Sequence, residues 1–219
     1  MNAVSESGFF VTFEGIEAAG KTTALSFCAE MLRQADLSYL TTREPGGTDL
    51  SERLRFLLKE SELELSSYSE ALLFFAARED HLRKSILPAL ACNKVVLSDR
   101  FADSTFAYQS GKGGISLREY CDLLSFLSKI WVEPDCTIFI DISVEVSEKR
   151  ISADHSRGTD RFESRSKDFH ESVRKKYYTL CEQFPERIIR IDGEQRHEEV
   201  AAEVWRVLSK RLAKKGIIS

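Results

Sequence analysis

Residues Gly15 to Thr22 read GIEAAGKT, an octet of the form G-x-x-x-x-G-K-[ST]. It constrains the fold because such a loop works only between a strand and a helix. Phe9 to Glu14 (FFVTFE) supplies the strand, a run of β-branched and aromatic residues. Downstream, Ala24, Phe27, Cys28, Met31 and Leu32 recur at helical spacing and form one apolar stripe. The run Gly15, Ile16, Glu17, Ala18, Ala19, Gly20, Lys21, Thr22 and Thr23 is therefore expected to cradle a nucleoside triphosphate. Gly15 and Gly20 let the backbone wrap the phosphates, and successive N–H groups and the helix N-terminus face the anion. Lys21 brings a compact positive charge, and the Thr22 hydroxyl is placed to help hold Mg²⁺.

Four further short runs, Ser38 to Thr42, Lys94 to Ser98, Thr137 to Ile142 and Arg187 to Ile191, alternate with longer segments of helical period. The helical segments are Tyr68 to Ala91, Leu117 to Ile130, Val144 to Ile151, Phe169 to Phe184 and Glu198 to Leu212. This alternation predicts an α/β chain with a central five-stranded parallel sheet between helical layers. At 219 residues, with no repeat and no Pro/Gly/Ser-rich linker, residues 1–219 are expected to form one domain. Ser152 to Ser166 (SADHSRGTDRFESRS) has neither period and reads as a mobile, Arg-bearing inserted loop.

With 31 Lys and Arg against 35 Asp and Glu, the chain carries a formal charge of −4, which argues against a nucleic-acid polymer or an anionic membrane as partner. No secretion signal and no apolar span of membrane length is visible, and the five cysteines, odd in number and widely spaced, read as buried thiols of a reducing compartment. A soluble, cytoplasmic protein is the expectation. The four histidines have no metal-ligand spacing.

Asp99-Arg100-Phe101 ends the third strand, where open α/β sheets bind ligands. Asp99 there can hold a magnesium-bound water, and the planar fork of Arg100 can clamp a second phosphate. An ion pair or a capped strand end is the plainer alternative. A guanine-nucleotide switch loses weight because Asn93-Lys94-Val95-Val96 lacks the Asp of N-K-x-D, and no Asp has a Gly three residues on.

FEGIEAAGKTT, TREPGGT at Thr42 to Thr48, FFAAR at Phe74 to Arg78 and SDRFADSTFAYQ at Ser98 to Gln109 together resemble the thymidylate kinase family in order and spacing. GTDRFE at Gly158 to Glu163 follows where that family has its lid. The resemblance implies a P-loop nucleoside monophosphate kinase domain that moves the γ-phosphoryl group of ATP to thymidine monophosphate, with Mg²⁺, as a homodimer. It also assigns roles. Phe74 stacks on thymine and Arg78 donates to its O4; taken alone, Phe74 would read as core. Ser104, Thr105 and Gln109 contact the thymine edge, and Tyr108 crowds the 2′ position. Arg43 and Arg100 hold the acceptor phosphate, and Glu17 meets the acceptor sugar. Because the loop holds an acidic residue and no Arg, the resemblance places the transition-state arginine in the lid, where Arg157 and Arg161 stand, with Arg150 just before it.

Two positions depart from the family pattern. Ala18 stands where Gly is frequent, which matters only if φ is positive there. Phe101 stands where Tyr or His is usual. Two rivals to the implied function are a kinase of another nucleoside monophosphate or of a deoxynucleoside, and a non-enzymatic ATP-binding module.

Overall fold

The computed structural model describes residues 8–60, 63–111, 113–153, 161–162 and 165–218. Its core is a five-stranded, all-parallel sheet of β1 (Phe9–Glu14), β2 (Tyr39–Arg43), β3 (Val95–Asp99), β4 (Cys136–Asp141) and β5 (Ile188–Asp192), in the order β2-β3-β1-β4-β5. Each strand lies within one residue of its sequence expectation. β1 and β4 are buried along their whole length, as apolar runs closed on both faces by helices must be.

The chain runs outward from central β1 to β2, returns to β3, then crosses to β4 and β5. Ligands bind at the carboxyl ends of strands where such an order reverses. The register sets Arg43 and Phe13 level with Asp99, so the ends of β1, β2 and β3 form one edge.

The helices are α1 (Lys21–Gln34), α2 (Asp49–Lys59), α3 (Ser67–His81), α4 (Leu87–Ala91), α5 (Ala102–Gln109), α6 (Leu117–Phe126), α7 (Val144–Ala153), α8 (Lys167–Gln183) and α9 (His197–Lys214). In α1 the expected stripe buries Ala24, Cys28 and Leu32, whereas Phe27 stays 38% exposed. The expected helix from Tyr68 to Ala91 is divided: a π-helical turn, Leu82–Ile86, separates α3 from α4. Pro88, in the first turn of α4, has no N–H to donate and its ring crowds the carbonyl four residues back, which widens the ladder there.

α2 is an element the sequence reading did not contain. Thr48 caps it by accepting from the Ser51 amide, and Asp49 and Glu52 favour its N-terminus. Of the cysteines, Cys28 and Cys136 are buried as expected, Cys181 is half-buried, and Cys92 and Cys121 are exposed, the first in the turn after α4 and the second on the outer face of α6. The expected inserted loop begins helically, since Ser152 and Ala153 belong to α7; residues 154–160, with Arg157, lie outside the described residues. Among the described residues no helix is long and apolar enough to cross a membrane.

Candidate active site

The phosphate loop joins β1 to α1 under tight steric limits. Gly15 has φ 144°, and a Cβ there would stand 2.4 Å from the Ile140 carbonyl oxygen of β4. Ala18 is in the left-handed region at φ 54°, so the family's Gly at this position has a conformational reason and Ala carries a cost of about 1–2 kcal/mol. Lys21 donates through Nζ to the Gly15 and Ile16 carbonyls at 3.1 and 2.7 Å. Burial, with the charge of Arg100, lowers its ammonium to about 8, against the opposing pull of Asp99, Glu17 and Glu14.

Thr22 donates its hydroxyl to Asp99 Oδ2 at 2.7 Å, so the first turn of α1 and the end of β3 present adjacent oxygens. The loop, Thr22, Thr23, Asp99 and Arg100 border a large open cavity, which Arg150, Ile151, Ala153 and His197 also line. Arg150 donates to the carbonyls of Ala18 and Gly193 at 3.2 and 2.9 Å.

Arg100, at φ 69°, occupies a backbone region that non-glycine residues rarely adopt. Its guanidinium donates to Glu17 Oε1, to the Tyr108 hydroxyl and to the Ser104 hydroxyl at 3.0, 3.0 and 3.1 Å. Burial alone would raise the Glu17 carboxyl. The His170 ring 3.4 Å away, the charges of Arg100 and Lys21 and the Tyr108 hydroxyl outweigh it and hold that carboxyl far below the usual range. An anion beside the phosphate loop thus persists because it is surrounded by donors and cations.

A second, smaller cavity opens beside Arg100, between Phe74, Arg78, Phe101, Thr105, Tyr108, Gln109 and Phe162. Its polar walls are cross-linked by hydrogen bonds. Arg78 is 1% exposed and donates to Glu44 at 2.9 Å and to Thr105 Oγ1 at 3.0 Å. Its other terminal nitrogen, Nη1, is buried without a hydrogen-bond partner among the described residues, as is Gln109 Oε1. Gln109 donates through Nε2 to Glu70 Oε2 at 3.1 Å, which turns Oε1 away from that carboxylate. Glu70 Oε1 in turn accepts from Arg161 and Arg165.

The cavity floor is Phe101. Its ring stacks on Trp131 at 5.3 Å, meets Phe10 edge-on at 4.9 Å and carries the Arg78 guanidinium at 5.2 Å. An apolar ring therefore suffices at this departure from the family pattern. Phe162 lies 6.2 Å from Phe74 and 6.0 Å from Tyr108, ring to ring, and completes the aromatic lining.

Over residues 13–204 the sequence matches the thymidylate kinase family. The chain belongs to the thymidylate kinase family. It is 43% identical over 201 residues to thymidylate kinase of Nitrosospira multiformis, covering 90% of this chain and 95% of that one. Against thymidylate kinase of Clostridium novyi it is 38% identical over 198 residues, covering 90% and 96%. The fold superimposes on the crystal structure of thymidylate kinase from Ehrlichia chaffeensis with a TM-score of 0.73 at 35% identity, covering 92% of this chain and 98% of that one.

Within this thymidylate kinase fold, Phe74, Arg78, Thr105, Tyr108 and Gln109 meet at the smaller cavity, and Lys21, Thr22, Asp99 and Arg43 meet at the larger one. Arg100 and Glu17 border both. Three of the expected site residues have protein partners in this structure. Thr105 Oγ1 accepts from Arg78, and the Ser104 hydroxyl bonds Glu14, Tyr177 and Arg100, so both help to position arginines. Arg161 is not brought to the phosphate cavity: it pairs with Glu70 and donates to the Leu63 carbonyl at 2.9 Å. Phe162, Arg55 and Lys59 border the cavities without having been singled out. The last two were findable, since Arg55 and Lys59 are four apart on a helix announced by Thr48 and two acids.

Proposed function

We propose that the protein transfers the γ-phosphoryl group of ATP to thymidine monophosphate, giving ADP and thymidine diphosphate. The pair of unused polar atoms in the smaller cavity carries this reading: a buried donor, Arg78 Nη1, and a buried acceptor, Gln109 Oε1. Thymine offers the complement, an O4 acceptor beside an N3–H donor. Cytosine presents an amino donor and an unprotonated N3, and would leave both protein atoms opposed, at about 1–3 kcal/mol each.

The base stacks on Phe74 beneath the cover of Phe162, and the sugar lies over Tyr108, whose ring crowds the 2′ position. The acceptor phosphate reaches Arg100 and Arg43, and Glu17 fixes the Arg100 fork beside the sugar. The donor triphosphate lies on Gly15 to Thr23 with its terminal phosphate at Lys21. The acceptor phosphate is already anionic, so no general base is needed; the side chains supply alignment and neutralise the repulsion between two polyanions.

Thr22 and Asp99 offer the hard oxygen donors that Mg²⁺ prefers, directly or through water, beside the loop that carries the phosphates. When bound, the ion offsets phosphate charge. The transition-state arginine in the lid is Arg157 or Arg161. Arg161, in the arrangement described, orients Glu70 and through it Gln109; a catalytic role requires it to exchange that carboxylate for a phosphate.

We further infer a cytoplasmic homodimer and a single kinase domain. Apolar side chains left exposed on α2 (Leu50, Phe56), α3 (Tyr68, Leu72) and α6 (Phe126) support the dimer. A coupled ADP-release assay over a panel of monophosphates tests the function. Fastest turnover on thymidine monophosphate supports it, and faster turnover on cytidine or guanosine monophosphate overturns it. Light scattering of the purified chain tests the dimer.

A further inference from the structure

Glu17, Glu44, Lys59 and Arg100 are the residues that border both cavities, and they mark the junction where the two nucleotides would meet. Of these, Glu17 is held by Arg100 and Tyr108, and Glu44 by Arg78 and His81. Each carboxylate is thus already paired with an arginine, and Lys59 adds a further positive charge to the junction, which favours an incoming phosphate.

We propose that Lys59 is a substrate residue whose ammonium takes the phosphate of the acceptor nucleotide at this junction, a role that rests on the thymidylate kinase reading above. Three features fit it. Lys59 closes the last turn of α2, where the helix dipole favours a cation. Arg55, one turn earlier on the same helix face, borders the phosphate cavity and is itself tied to the Pro45 carbonyl at 3.0 Å. The Lys59 carbonyl accepts from the Arg161 amide, so its backbone is joined to the segment that lays Phe162 over the base. A four-carbon stem on a helix end fixed in this way carries a point charge from the base cover to the phosphates.

The test separates phosphate from base. Thymidine and thymidine monophosphate differ only in the group Lys59 is assigned to hold, and both are titrated calorimetrically into the full chain and into Lys59→Met, Lys59→Gln and Lys59→Arg. The monophosphate should bind roughly 10- to 100-fold more weakly to the Met and Gln variants. Thymidine and ATP should stay within about two-fold, and Lys59→Arg should recover most of the loss. Melting by circular dichroism identifies which variants are folded, and two neutral replacements guard against one that is not. An unchanged monophosphate affinity overturns the assignment, as does an equal loss for thymidine, which would make Lys59 part of the base pocket or of the fold. Wild-type protein that binds thymidine monophosphate no better than other monophosphates would instead overturn the functional reading.

Discussion

Arg78 and Glu44 form an ion pair at 2.8 Å in which the two side chains are 1% and 4% exposed. The other Glu44 oxygen faces His81 Nδ1 at 3.1 Å, so the TREPGGT loop and α3 are joined through one buried carboxylate. Arg78 therefore holds the pocket together, besides the base-reading role proposed for it.

Replacing Arg78 by Met leaves that buried carboxylate with His81 as its remaining partner and without its arginine, and stability should fall by about 3–5 kcal/mol. Adding Glu44→Gln should recover a good part of the loss, whereas thymidine monophosphate binding should remain weak in both variants. Urea unfolding measures the first effect and calorimetry the second. A double variant as unstable as the single one would show that the pair is not the source of the loss.

Lys21 should make ATP binding fall at alkaline pH. Its ammonium, lowered to about 8 by burial and by Arg100, is charged below that pH and progressively neutral above it, and only the charged form attracts phosphate. The KM for ATP should therefore rise from pH 8 upward, and Lys21→Arg, charged throughout, should flatten that rise. Lys21→Ala should lower kcat by roughly 100-fold or more. Unchanged turnover would remove Lys21 from the mechanism.

Glu14 should make the fold less stable as pH rises toward neutrality. Burial and the Asp103 charge raise its carboxyl from 4.5 to about 7, against bonds from Ser104 and Tyr177 and the charge of Arg100. Between those values the folded chain keeps a proton that the unfolded chain has released, so stability is fully present below about 4.5 and declines up to about 7. Glu14→Gln should flatten the Tm against pH curve in that window; a curve of wild-type slope would assign the dependence elsewhere.

Arg161→Ala should raise the KM for thymidine monophosphate about ten-fold or more and narrow the preference over cytidine monophosphate, because Glu70 loses one of the two arginines that hold it opposite Gln109. Steady-state kinetics with both nucleotides separates the outcomes. A fall in kcat of about 10³ with KM unmoved would place Arg161 on the transferring phosphoryl group instead.

The sheet was legible because buried parallel strands must be apolar runs, and FFVTFE and TIFIDI are such runs on their face. The phosphate loop was legible because its chemistry tolerates few alternatives at Gly15, Gly20 and Lys21. α2 was missed although Leu54, Leu57 and Leu58 fall at helical spacing, since the preceding EPGGT block reads as loop. The π-helical turn before Pro88 was not legible, because it depends on how far a helix yields to a proline ring. Nor does a hydroxyl in STFAYQ say whether it will touch a ligand. Ser104 and Thr105 were assigned to the base, yet their partners come from β1, α8 and α3, which only the folded chain brings near.

Glu70 faces Gln109 with one oxygen and the arginines flanking Phe162 with the other. One carboxylate thus ties the amide at the smaller cavity to the segment that carries Phe162, so a displacement of either must be transmitted to the other.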